Sequence, residues 1–544
     1  MTGLATGLRT RAWRSLPGDA GRAALGRRRP PAGLLALGLL AGLAAALPAI
    51  YLVVLLAGSL DTAAETIFDS RTVGLTVRTV GLTVAVTATA VAIGLPLAWL
   101  TSRTDLPGRR LWATLTALPL VIPSYIGAYV FVSALGPSGL LADVLGADRI
   151  PSIYGFPGAW LVLSLFTYPL VLLSARAALS RLDPALEDAA RSMGRSRREV
   201  FRTVILPQLI PAIGAGALLV ALYVISDFGA VSIMRFDSFT REIYITWQSS
   251  FDRTSAAALG LLLVIGVLIL LAVYSWIRGS LRYYRTGPGA GRPASIVPLG
   301  RWRWPAIGFC SLITLVALVL PVGVLIYWAV QGLGAGIDAG ELVGNAWHSL
   351  VAGTGAALLA ALFAIVIAVL AVRFPSPVTA LVERLGYVGY ALPGIVVALA
   401  LVFFGTRVAL PLYQTLGMLV FALTIHYLPL AVGSVSSSLL QVPPRFEEAA
   451  RGMGRGPLEV FRTITTPLVA GGIAAGAALV FLHAVKELPA TLLLAPIGFE
   501  TLATDIWRQT SLGFFEGSAV PSLVLLIVAA PPLWWLTGRG EPRP

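Results

Sequence analysis

Residues 187–207 read EDAARSMGRSRREVFRTVILP, and residues 447–467 read EEAARGMGRGPLEVFRTITTP. The two stretches lie 260 residues apart, and 13 of their 21 positions are identical. Each follows one long apolar stretch and leads into another. A fixed internal offset marks a repeated structural unit and sets the architecture before any single element does. The match runs on outside the loops. At the same offset Pro169 and Leu170 match Pro429 and Leu430, Asp227 matches Glu487, Ala230 matches Ala490, Phe239 matches Phe499 and Trp247 matches Trp507. Upstream the offset becomes 270, with Arg103 matching Arg373 and Pro123 matching Pro393. The slip places a longer loop in the first half, near 136–157. A whole unit has been duplicated and fused.

Composition places the unit in a membrane. The chain is 57% hydrophobic and 12% charged, with a mean hydropathy of +0.84. A water-soluble chain of this length would expose more apolar surface than water tolerates. Twelve stretches approach the ~20 apolar residues that cross a bilayer: about 32–57, 79–101, 111–135, 157–177, 207–230, 256–277, 305–330, 349–372, 386–405, 414–437, 467–490 and 519–537. In lipid each must satisfy its own backbone hydrogen bonds, which makes helix the expected form. The fold class is therefore all-α and polytopic, with about 12 spans as two parallel six-helix repeats. The expected division is a basic segment 1–31, a first domain 32–277, a linker 278–304 and a second domain 305–544.

Charge predicts the orientation. There are 39 arginines and one lysine, and with the N-terminus inside, 31 of the arginines fall on cytoplasmic segments. That is a positive-inside pattern, and twelve spans return the C-terminus to the cytoplasm. The formal net charge of +14 is then explained by topology, not by nucleic acid. The basic N-terminus is followed by an apolar run too long for a secretory signal, so an uncleaved first span is expected. The linker is rich in Gly, Pro and Arg and reads as a cytoplasmic tether, with Trp302 and Trp304 suited to the membrane interface. Cys310 is the only cysteine, so neither an intrachain disulfide nor a cysteine cluster for a metal is possible.

The repeated loops have a physical grammar. Each begins after proline, at Pro184 and at Pro443–Pro444, which suits the start of a helix. Glu187, Ala190, Arg191 and Gly194 fall along one helical face, as do Glu447, Ala450, Arg451 and Gly454. Acid at the front and Arg behind agree with the helix dipole. Gly194 and Gly454 suit a sharp turn with positive φ. A pair of helices lying on the membrane surface would account for the arginines. A docking element for a cytosolic partner also accounts for the alanine pair and the glycine, kept in both halves.

GluAspAlaAla…Gly and GluGluAlaAla…Gly, each ending in Pro, resemble the EAA loop of binding-protein-dependent ABC importer permeases, and the resemblance covers both halves. It implies a type I importer permease with two fused domains in the bacterial inner membrane. It implies one coupling helix for each of two cytosolic ATPase subunits, built on Glu187, Asp188, Ala189, Ala190 and Gly194 and on Glu447, Glu448, Ala449, Ala450 and Gly454. A periplasmic or lipid-anchored solute-binding protein is the further implied partner, beside membrane lipids. SDFGAVSIM (226–234) and KELPATLLL (486–494) resemble the iron(III) permeases, a branch shared with thiamine permeases. Iron(III) is thus the expected cargo, with thiamine or another small solute as the alternative on the same scaffold. No GxxxxGK[ST] P-loop exists, since the only lysine is Lys486 in HAVKELP. No cofactor is expected in this chain. ATP and magnesium belong to the partner ATPase, and the chain itself is not expected to be an enzyme.

Ser226, Asp227, Lys486 and Glu487 are the candidate passage or gate residues, because ionisable groups in spans are costly and functional by default. A pseudo-twofold would bring Asp227 and Glu487 toward a shared pore. The bland reading of Glu487 places it near the outer end of its span, where water solvates it, with Lys486 paired to another helix. His348, His426 and His483 lack close histidine or cysteine partners and read as packing groups, so no metal site is expected. Trp247 and Trp507 read as interface anchors, or as contacts for a docked binding protein. A secondary transporter of two parallel six-span halves, driven by an ion gradient, is the competing class. It gives the two loops no role.

Overall fold

In the computed structural model the described residues are 30–538, apart from positions 59, 138, 147–151, 181, 183, 250–252, 280–295 and 337. Residues 1–29 of the expected basic segment 1–31, and most of the linker 278–304, lie outside the described residues. Among those described there is no strand, only an isolated bridge between Thr104 and Val297. That bridge ties the end of the linker to the first half, through Val297 N–H to Arg103 O at 2.8 Å and Leu299 N–H to Asp105 Oδ1 at 2.8 Å.

Among the described residues, eleven helical stretches are long and apolar enough to cross a membrane. The first half is built from α1 (Ala32–Ala57), α2 (Ser70–Arg103), α3 (Ser124–Leu135), α4 (Phe156–Leu179), α5 (Pro184–Ser192), α6 (Leu206–Ser226) and α7 (Arg253–Gly279). The second is built from α8 (Leu320–Ala335), α9 (Ala339–Arg373), α10 (Gly394–Arg407), α11 (Leu416–Leu440), α12 (Arg445–Gly452), α13 (Thr466–Val485) and α14 (Phe515–Gly538). Helix α8 continues Arg303–Thr314 through a π-turn at Leu315–Val319.

The third span of each half departs from expectation. The stretches 111–135 and 386–405 are not single helices. Each breaks at proline, with Pro123 (φ −58°, ψ 145°) and Pro393 (φ −55°, ψ 144°) held extended ahead of α3 and α10. A proline lacks the N–H that would continue the ladder. At 1.5 Å per residue, the 14 residues of α10 fall short of a ~30 Å hydrocarbon core, and the 12 residues of α3 reach spanning length only together with the stretch that continues to Ala142. Both are buried almost all round, as expected of a helix at the centre of a bundle.

The hydrophobic cores do not follow the sequence halves. One core joins α1 and α7 to α9, α10, α11 and α13, and the other joins α8 and α14 to α2, α3, α4 and α6. The first and last spans of each half thus clasp the centre of the other. Tyr51 on α1 donates to Phe403 O on α10 at 3.2 Å. Tyr129 on α3 donates to Phe515 O on α14 at 2.9 Å, and the two rings stack at 5.8 Å. Lipid offers apolar helices no hydrophobic reason to associate, so such packing and hydrogen bonds decide their neighbours.

Candidate functional site

Each repeated loop folds into a short helix, a tight turn and a second short helix. Helix α5 ends where Gly194 takes φ +82°, and α12 ends where Gly454 takes φ +85°. Beyond each glycine the N–H of Arg195 or Arg455 returns to the carbonyl of Ala190 or Ala450, at 3.2 Å in both halves. This six-to-one closure is a Schellman-type stop, and it requires a residue that tolerates the left-handed region. The chain then enters Arg197–Val200 or Pro457–Val460, with Val200 and Val460 buried.

Side chains on the two loop helices divide cleanly. Glu187 and Ala190 face inward, as do Glu447 and Ala450, while Asp188, Ala189, Glu448 and Ala449 are exposed. Exposed beside them are Leu186 and Met193 in the first loop, and Phe446 and Met453 in the second. The inward glutamates meet the ends of the two longest helices. Glu187 forms a buried ion pair with Arg103, the last residue of α2. Glu447 Oε1 lies 2.9 Å from Arg373 Nε, on the last residue of α9. Arg373 also donates to Val442 O at 3.0 Å, and the Thr465 hydroxyl reaches Glu447 at 3.2 Å. Arg103 and Arg373 match in the repeat, but only the structure reveals that they hold the loop glutamates.

At their other ends α2 and α9 touch a second matched pair of elements. The N–H of Phe239 donates to Thr79 Oγ1 at 3.3 Å, and the N–H of Leu502 donates to Ser349 Oγ at 2.9 Å. These contacts seat the amphipathic helices Phe239–Ser249 and Leu502–Ser511. Each half therefore runs one continuous helix of 34 or 35 residues from its repeated loop to the opposite face, about 50 Å at 1.5 Å per residue.

Asp227 and Glu487 are each held by backbone donors of their own half. Both are buried, at 7% and 6% exposure, and each turns onto its own half. Asp227 Oδ2 accepts from the N–H of Ala230 at 2.9 Å and of Val231 at 3.3 Å, and Asp227 Oδ1 accepts from the Ser124 hydroxyl. Glu487 Oε2 accepts from the N–H of Ala490 at 2.8 Å and of Thr491 at 3.3 Å. A carboxylate capping a short helix satisfies free backbone donors. The expectation that water solvates Glu487 is thus overturned: the fold buries it against those donors.

Lys486 directly follows α13, Ser226 is the last residue of α6, and both are half-buried. The expected pairing of Lys486 with another helix is also overturned: among the described residues its side chain has no hydrogen-bond or ion-pair partner, while its backbone N–H returns to Ala484 O. The Tyr125 hydroxyl, from the other half, stands within electrostatic range of Glu487 and of Tyr223. Trp507 packs on Phe228 of the first half at 5.1 Å, and Trp247 on Tyr244 at 6.3 Å. Trp507 thus packs across the two halves, while Trp247 packs on its own helix.

His348 stacks on Phe499 at 4.2 Å and bonds Glu500 O at 2.9 Å, a packing role. One cluster has no precursor in the sequence reading. Oxygens of Glu341, Glu500 and Asp505 lie within 4.8 Å of one another, and Arg508 binds all three at 2.6, 3.1 and 2.9 Å. Burial pushes the Asp505 carboxyl above its ordinary value, against the pull of Arg508. The guanidinium already supplies the positive charge that such a cluster attracts.

The profile of the family described as binding-protein-dependent transport system inner membrane component matches residues 90–283 and 358–537, one copy in each half. The chain is 33% identical over 513 residues to an Fe(3+)-transport system permease protein of Haemophilus influenzae, covering 94% of this chain and 98% of the relative. It is 24% identical over 463 residues to a ferric transport system permease protein of Actinobacillus pleuropneumoniae, covering 81% of this chain and 67% of the relative. It is 30% identical over 195 residues to a molybdenum transport system permease protein of Escherichia coli, covering 35% of this chain and 85% of the relative.

Proposed function

The chain belongs to the family of binding-protein-dependent transport system inner membrane components, and from that premise we propose that it is the permease of an ATP-driven importer of iron(III). Two cytosolic ATPase subunits dock on α5 and α12, and both termini lie on that side. A solute-binding protein delivers cargo at the opposite face. The similarity to the Haemophilus influenzae protein over nearly the whole of both chains carries the cargo assignment.

The geometry of the repeated loops supports a mechanical role. The exposed residues at Leu186 and Met193, and at Phe446 and Met453, offer each ATPase an apolar face, and methionine adapts well to such surfaces. Glu187 and Glu447 clamp that face to Arg103 and Arg373. When ATP draws the ATPase subunits together, α5 and α12 move with them. The buried ion pairs pass the displacement to α2 and α9. These helices carry it to Phe239–Ser249 and Leu502–Ser511 at the far face, where the seam opens or shuts. Rigid levers acting on a bistable pair of halves give alternating access. The turn glycines keep each docking helix at its angle.

Reconstitution tests the assignment. The full complex in proteoliposomes is expected to accumulate radiolabelled iron only with ATP inside reach of the ATPases and with loaded binding protein outside. Uptake of thiamine, sulfate or molybdate in place of iron would keep the architecture and reject the cargo. Uptake driven by an ion gradient without ATPase subunits would reject the class.

A further inference from the structure

We propose that Lys486 is an anion-binding group of the membrane passage. The cargo meets it through anionic oxygen, either as a free oxyanion or as ferric iron held within an anionic oxygen shell. The second form rests on the iron reading above; the anion site itself does not.

Lys486 is the single lysine among 40 basic residues. Where this chain otherwise needs a positive charge it uses arginine, so the exception draws a chemical distinction. An ammonium is a compact point charge with three rotatable donors, while a guanidinium is a planar fork. Its location is equally particular. Lys486 directly follows α13, and Val485 and Leu488 on either side of it belong to the core built around the first half. Glu487 is buried as well, while Lys486 is half-buried. An ammonium facing lipid would be costly, which puts its head toward the seam between the halves. At the matching positions of the first half, Ser226 is half-buried and Tyr223 exposed.

The charge is uncompensated. Glu487 is adjacent in sequence but gives Oε2 to the N–H groups of Ala490 and Thr491. The end of α13 favours a cation through its dipole, but among the described residues only the backbone N–H of Lys486 donates to a carbonyl, that of Ala484, and its ammonium donates to none. Further polar groups nearby also lack partners there. The Tyr125 hydroxyl and His426 Nδ1 are buried and without a hydrogen bond among the described residues. Tyr125 lies in range of Glu487. His483, three residues before Lys486 and on the same helical face, lies in electrostatic range of both Lys486 and His426. A fixed cation set among unspent donors repels a bare ferric ion and attracts an anionic face. The matching residue of the first half, Ser226, carries no charge, so the attraction is one-sided and weak enough to release cargo.

A single lysine makes its own probe. In the assembled complex, a small water-soluble amine reagent followed by peptide mass spectrometry reads Lys486 without interference from the rest of the chain. Sulfate, phosphate and ferric citrate, each against chloride at equal ionic strength, are expected to slow its modification. A Lys486 that stays unreactive in every nucleotide state, or that reacts equally with all anions present, overturns the proposal. Transport supplies the second arm. Lys486→Met should raise the solute concentration for half-maximal uptake by about tenfold or more, the worth of a charge-assisted contact. Lys486→Arg should restore most of the loss. Oxyanion uptake without iron, lost in Lys486→Met, rejects the iron assignment and keeps the anion site. Iron uptake without a labelled counter-anion, undiminished in Lys486→Met, rejects the anion site and keeps the iron assignment.

Discussion

The two halves solve the same problem at Asp227 and at Glu487 with different parts. In the first half Asp227 caps Gly229–Ile233 and takes a further hydrogen bond from the Ser124 hydroxyl. In the second, position 394 is glycine, and the longer Glu487 fills the space: a Cβ built on Gly394 would stand 2.7 Å from Glu487 Oε1. Ser with Asp and Gly with Glu are alternative fillings of one cavity. The repeat keeps the cap and lets the pair vary together. Beside it the halves diverge, with Ser226 opposite Lys486. A fused chain is free to make its two sides unequal, which a symmetric dimer of identical subunits cannot do.

The comparison breaks hardest at the loops, where the halves agree most. Gly194→Val with Gly454→Val forces a β-branched residue into the left-handed region in both turns, a strain of about 1–3 kcal/mol at each. ATP-driven uptake is expected to collapse while membrane insertion stays normal. Intact uptake in the double variant would remove the loops from coupling. Next in size is Arg103→Leu or Arg373→Leu, which leaves a buried glutamate only its more exposed i+4 arginine, Arg191 at 3.9 Å or Arg451 at 3.8 Å, a loss of up to about 3–5 kcal/mol when one partner of a buried pair is removed. Either change should lower thermal stability in detergent and uncouple ATP hydrolysis from transport. Stability falling with coupling preserved would limit the pair to a structural role.

The exchange of fillings sharpens the comparison further. Ser124→Ala should cost about 1.5–3 kcal/mol by removing a hydrogen bond to a charged group. Gly394→Ser alone should impair folding through the clash with Glu487, and Glu487→Asp should relieve it. A thermal-stability double-mutant cycle on Gly394 and Glu487 reads this directly, and purely additive effects would sever the pair. The smallest effect is expected at Thr465→Val. Its hydroxyl reaches Glu447, and the matching residue Ile205 has none. The loss should be about 1 kcal/mol, with no counterpart to remove in the first half.

The sequence by itself determined the class, the duplication, the loop helices and the turn glycines. These are local or repeated signals: apolar length, an internal offset, and a glycine where a helix must stop. It also singled out Asp227, Glu487 and Lys486, since ionisable groups stand out in apolar surroundings. The tertiary structure alone decided their partners. It turned the two carboxylates onto short helices, placed Trp507 in the seam, joined Arg103 to Glu187 and gathered Glu341, Glu500 and Asp505 around Arg508. It also decided that α1 and α8 clasp the opposite halves. The reason is physical. A span that is apolar all round carries no stripe to say which face meets lipid and which meets protein. Contacts between residues more than 80 positions apart leave no periodic trace, so only packing in three dimensions selects among them.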